Sequence, residues 1–111
     1  MRRRRYLWDA WNRDHITKHA VSVAEAESVV RGALPPYPRK IGEGKQLVWG
    51  RTGQGRLLQV IFVVKLPDEM DYESLSAADI LSLDDDDAPR VYVIHARELN
   101  KRETSQYRRF K

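Results

Sequence analysis

The chain has 111 residues, no cysteine, three histidines and a formal net charge of +4. That length is most simply one domain, one that hides about two-thirds of its unfolded surface and so supports a single core. The absence of cysteine excludes disulfides, thiolate metal sites and a cysteine nucleophile, and no apolar run approaches the roughly 20 residues of a membrane span.

Tyr6-Leu7-Trp8 is expected as a short edge strand. Asp9 is a good N-cap for a helix running to about His19, with Trp11, His15 and His19 on one stripe at i, i+4, i+8. Ser22-Val23-Ala24-Glu25 has the capping-box pattern and opens a second helix whose apolar positions are Val23, Ala26, Val29 and Val30, ended by Gly32. Pro35, Pro36 and Pro38 impose an extended connector. Gln46 to Arg51 reads as a strand and Thr52 to Gly55 as its hairpin turn. Arg56 to Lys65 is apolar on both faces, the mark of a central strand. Arg90 to Arg97 is a third strand; strict alternation sends Val91, Val93, His95 and Arg97 one way and Tyr92, Ile94 and Ala96 the other. Asn100-Lys-Arg-Glu103 is another capping pattern, starting a basic helix with Tyr107 and Phe110 on one side. Helices followed by an antiparallel sheet make an α+β layout.

Charge is unevenly spread. Residues 67–89 carry nine acidic side chains and no Lys or Arg, whereas the rest of the chain carries all 20 Lys and Arg and only seven acids. A basic body suggests a polyanionic partner, RNA or DNA first; a solvated surface is the plain alternative. Within the acidic insertion at about 67–89, Ser76 to Asp79 is a possible cap for a short helix carrying Ile80, Leu81 and Leu83. The insertion reads as a solvated loop, a self-shielding RNA mimic or a partner contact. The Arg-rich opening precedes no long apolar segment and does not read as a secretory signal. The lack of cysteine suits a reducing cytoplasm.

Three ordered blocks carry a resemblance. They are W-D-x-W-N-x-x-H-I-x-K-H-x-V-S-x-x-E-A-E from Trp8 to Glu27, V-W-G-R-T-x-x-G-R-L-L-x-V from Val48 to Val60, and V-I-H-A-R-x-x-x-K-R-E-x-x-x-Y from Val93 to Tyr107. Together they resemble the BrnT family of type II toxins. The resemblance implies a RelE-like fold: two N-terminal helices packed on an antiparallel β-sheet, with a C-terminal helix. It also implies a translation-inhibiting ribonuclease, a cognate BrnA-like antitoxin, and operator DNA bound only through that antitoxin. The chain departs from the family at Ala20, where Lys-His-Gly is common; alanine implies a turn with ordinary backbone angles. Its acidic insertion is also longer than the usual hairpin connection.

Metal-independent RNA cleavage needs a base for the 2′-hydroxyl, an acid for the leaving 5′ oxygen, and cations on the phosphoryl oxygens. His19 and Lys18 match the family's Lys-His motif; His19 reads as acid/base or phosphate contact, or as a helix-end histidine bonding free carbonyls. Arg51 and Arg97 match family arginines and read as phosphate ligands, against salt bridges to the acidic insertion or to Glu25 and Glu27. Arg56, His15, His95, Trp49, Lys101 and Arg102 form a wider RNA-binding set. Each has a plainer reading: a turn exit for Arg56, packing on tryptophan for His15, a buried satisfied imidazole for His95, core for Trp49, and a solvated basic helix for Lys101 and Arg102. Trp8 and Trp11 read as core, Glu25 as only the capping partner of Ser22, and Glu27 as a weak candidate base. His15 and His19 have metal-site spacing, but no Glu follows His15 and no thiolate exists, so neither metal nor cofactor is expected. The rival classes are a degenerate, non-catalytic homologue acting as a protein-binding module, and a DNA-binding repressor, for which no helix-turn-helix pattern speaks.

Overall fold

In the computed structural model, residues 5–66 and 89–109 are described. The expectations for the acidic insertion and for Phe110 lie outside them.

Among the described residues, reciprocal caps start each of three helices. Ahead of α1 (Ala10–Thr17), Asp9 accepts from the Asn12 amide N–H at 3.0 Å and the Asn12 side chain accepts from Asp9 N–H at 2.8 Å. Asn12 is fully buried and also donates to the Leu7 carbonyl, fixing the chain's entry into the helix. The Ser22–Glu25 box opens α2 (Val23–Arg31) as the sequence predicts. Asn100 and Glu103 do the same for α3 (Lys101–Arg109), at 2.8 and 2.9 Å. Each box satisfies two backbone donors that the first turn leaves open.

The sheet is an antiparallel meander, β1 (Arg39–Gly42), β2 (Lys45–Arg51), β3 (Leu57–Lys65) and β4 (Arg90–Glu98), in that spatial order. The first strand falls inside the expected connector. It has four exposed residues, and a Glu43-Gly44 turn joins it to β2. β3 lies between β2 and β4, as its two-sided apolar pattern requires. On the outer edge of β4, Tyr6 makes a single parallel bridge to Val91, so the expected N-terminal strand is reduced to that contact.

One face of the sheet carries the core. Ala26, Val29 and Val30 of α2 and Ile16 of α1 join Val48, Leu58, Val60, Phe62, Val93 and Ala96, all within 1% exposure. Gly50 lets α2 come close, since a Cβ there would stand 3.1 Å from Val29 Cγ1. Such burial is the main stabilising contribution, roughly 1.5–3 kcal/mol for each large apolar side chain.

Two local expectations are corrected. Helix α1 stops at Thr17, and residues 18–20 form a turn in which Ala20 takes φ +57°, a left-handed conformation rather than an ordinary one. The turn needs that geometry to send the chain back into α2, and alanine adopts it at a cost of about 1 kcal/mol. Strict alternation also fails in β4. His95 pairs with Ile61, but Val93 pairs with Phe62, so β4 holds one extra residue at Ile94. The register therefore sets Tyr92, His95 and Arg97 on one face and Val91, Val93 and Ala96 on the core face.

Candidate functional site

Helix α1 packs along β4, which turns its Trp11 and His15, and His19 in the turn that follows, toward the face bearing Tyr92 and His95. The three histidines converge there. Ring centroids are 5.2 Å apart for His19 and His95, 5.9 Å for His15 and His95, and 6.2 Å for His15 and His19. Among the described residues no group of three or more His, Cys, Asp or Glu side chains is arranged to hold a metal ion.

An aromatic ridge extends the cluster. His15 stacks on Trp11 at 5.0 Å and 8°, Trp11 lies nearly parallel to Tyr92 at 6.5 Å, and Lys65 Nζ sits 4.2 Å over the Tyr92 ring. The Tyr92 hydroxyl donates to Asp9 Oδ2 at 2.9 Å; burial, then that carboxylate, hold its pKa well above the ordinary phenol value. Asp9 thus caps α1 and ties it to β4. Trp11 is 55% exposed, so it belongs to this ridge and not to the core, whereas Trp8 is buried with its indole N–H on Glu27 at 2.7 Å. Sequence reasoning missed Tyr92 and Lys65 because the extra residue in β4 hides which face Tyr92 takes.

His95 is half-buried, and its pKa is lowered below the usual imidazole value, by burial first and then by the charges of His19, Arg97 and His15. It is therefore neutral near pH 7. His19 is exposed at the end of the α1 turn, next to the exposed Lys18.

The arginines are distributed differently from expectation. Arg97 shares the face of His95 but is engaged by Glu103 of α3 through two parallel bonds, Nη1 to Oε1 and Nη2 to Oε2, both 2.7 Å. Arg97 holds the Glu103 carboxyl far below its ordinary range, at about 2. The salt bridge expected as an alternative for Arg97 is present, but its partner is Glu103 and neither Glu25 nor Glu27. Arg56 donates to both Glu25 oxygens at 2.9 and 2.8 Å, to Glu98 Oε1 at 2.7 and 3.0 Å, and to the Ala20 carbonyl at 3.0 Å. It is fully engaged in joining the α1–α2 turn, the start of α2 and the end of β4. Glu25 therefore does more than cap Ser22; the Ser22 backbone N–H first, and then Arg56, lower its pKa.

Arg51 is exposed at the end of β2, two strands from β4 and roughly 10 Å across the sheet. It joins Trp49, Tyr37 and Tyr107 around a shallow cavity of about 230 Å³ and is not part of the histidine cluster. Trp49 is half-buried and donates its indole N–H to Gln59 at 3.0 Å. The register aligns Trp49, Gln59 and Arg97 across three strands. A second groove of about 390 Å³ is lined by Tyr37, Arg39, Ile41, Leu47, Trp49, Gln106 and Arg109. Lys101 and Arg102 are exposed on α3.

The fold is thus α+β, with three helices and a four-stranded antiparallel sheet among the described residues, and its densest group of titratable rings is a three-histidine cluster beside a paired arginine. Comparisons of the chain with known protein families, with curated proteins and with solved structures find no match. Among the described residues no helix is long and apolar enough to cross a membrane.

Proposed function

We propose that this chain is a BrnT-like ribonuclease toxin with a RelE-like fold that inhibits translation by cutting RNA without a metal. The observation that carries the reading is the meeting of His19 and His95, rings 5.2 Å apart, beside Arg97 in a basic body. His95, held neutral by burial, is suited to take the proton of a 2′-hydroxyl; the hydroxyl oxygen then attacks its own phosphorus. The exposed His19 gives a proton to the departing 5′ oxygen, leaving a 2′,3′-cyclic phosphate and a 5′-hydroxyl. Arg97 and Lys18 are the cations nearest in the chain to this pair, and Arg51 contacts a more distant phosphate. Trp11 and His15 brace the cluster. The cytoplasm is the compartment of this reaction, and a BrnA-like antitoxin, through which operator DNA is reached, is the partner.

The test is cleavage of RNA by the purified chain in the presence of chelator. His19→Ala and His95→Ala should each lower kcat/KM by about 10²–10⁴-fold with unchanged circular dichroism. The acid limb of the pH profile should lie below the ordinary imidazole pKa, because His95 must be neutral to act. Undiminished cleavage in both variants would sink the assignment.

A non-catalytic protein-binding module is the second reading. It is favoured by the engagement of Arg56 and Arg97 with carboxylates and by the Arg-flanked groove beside Trp49. Growth arrest on expression separates the two, being expected of the toxin alone.

A further inference from the structure

We infer that the Arg97 guanidinium is a phosphodiester subsite, filled by Glu103 in the nucleic-acid-free protein, and that α3 is a lid which RNA lifts to reach it. This rests on the ribonuclease reading and adds the identity of a binding subsite and its occupant.

Three observations carry it. First, the Glu103 carboxylate engages Arg97 through two parallel 2.7 Å bonds, the same fork that grips two phosphate oxygens. A phosphodiester is an anion of matching shape for this place. Second, the place is the right one: Arg97 lies two residues from His95 on the same face, close enough for its charge to act on that imidazole. Third, α3 is lightly attached. None of its residues from Lys101 to Arg109 is buried, and Glu103 and the packing of Tyr107 are contacts that join it to the body. A nine-residue helix has little stability of its own. Glu103 is the sole acid between Lys101 and Arg109, while Lys101, Arg102, Arg108 and Arg109 are exposed cations. A polyanion therefore repels the latch and attracts the rest of the lid. Arg56 shows the contrast: its partners lie on three packed elements, and no small displacement frees it.

Glu103→Gln keeps the shape of the side chain and the acceptor that Asn100 N–H needs, since glutamine also completes a capping box. The experiment measures binding of a 2′-O-methyl oligoribonucleotide, whose blocked 2′ oxygen prevents cleavage, to the full chain at low salt. Glu103→Gln should bind about fivefold tighter than wild type, and its salt dependence should steepen by about 0.7 in log–log slope for one added phosphate contact. Arg97→Ala should cancel the gain in the double variant. Hydrogen exchange of α3 amides in the wild type should rise when the oligonucleotide is added. Tyr107→Ala, which loosens the other attachment, should also tighten binding, and it decides between the outcomes if Glu103→Gln does not fold. Binding equal to or weaker than wild type would overturn the lid; a purely structural ion pair predicts that result together with a lower Tm. Tighter binding without any cleavage would remove the ribonuclease reading and keep the lid. His19-dependent cleavage with no tightening would do the reverse.

Discussion

Arg56 and Arg97 are the same residue type, each neutralised by carboxylate at 2.7–3.0 Å, yet they do different mechanical work. Arg56 joins segments already packed on the core: the end of β4, the first turn of α2 and the turn before it. Arg97 joins a core strand to a helix with no buried residue. An ion pair between packed elements acts as a rivet, because the core holds both ends in place whether or not it is made. An ion pair to a helix without buried residues acts as a catch, because both ends can find water or another ion once it opens. What surrounds a salt bridge, more than its length, decides whether it can serve as a switch.

The largest expected effect tests the rivet. Arg56→Ala removes the bonds to the part-buried Glu25 carboxylate, to the exposed Glu98 and to the Ala20 carbonyl, and should destabilise the fold by about 2 kcal/mol, a Tm loss of roughly 10 °C. Arg97→Ala should cost only about 1 kcal/mol. Equal losses in thermal melts would erase the distinction. A smaller effect comes from acid. The folded pKa of Glu103 is depressed to about 2, so the stability that its pair contributes is present above the ordinary carboxylate value and is lost as pH falls through about 2. Hydrogen exchange between pH 5 and 2 should show α3 amides losing protection while the amides at the buried positions of α2 keep theirs. Loss in both helices together would mean the catch is no weaker than the rivet. The smallest effect is at the turn that Arg56 holds. Ala20→Gly removes the left-handed strain and should raise stability by about 0.5–1 kcal/mol, read as a higher urea midpoint at unchanged m-value. No gain would mean that the Arg56 bond to the Ala20 carbonyl does not impose the turn's geometry.

Much of this architecture is legible in local sequence. Capping residues at Ser22 and Glu25, and at Asn100 and Glu103, announce their helices because the signal and its partner lie within one turn. The stripe of Trp11, His15 and His19 is also local, and the α+β order follows from it and the three strong strands. The missed features depend on contacts between distant segments. β1 has one apolar side chain, Ile41, and is stabilised by pairing with β2. The carboxylate partners of Arg56 lie 31 and 42 residues away, so no spacing reveals them. Tyr92 joins the ridge only through the irregular register of β4, and Trp11 is exposed because α1 lies at the edge of the sheet, so its stripe meets strand-edge side chains instead of the interior.

That irregularity in β4 has a consequence for how the strand tolerates change. Side chains along a strand behave like an even-and-odd count, and the surplus residue at Ile94 resets the count between Val93 and His95. Removing that one amino acid would restore strict alternation and leave every other side chain on its present face, because Val93 already opposes Phe62 and His95 already opposes Ile61. An exchange of inside for outside comes instead when Ile94 is kept and forced into regular pairing: an imidazole is then carried to the core side, and an alanine is delivered where His19 now has a neighbour.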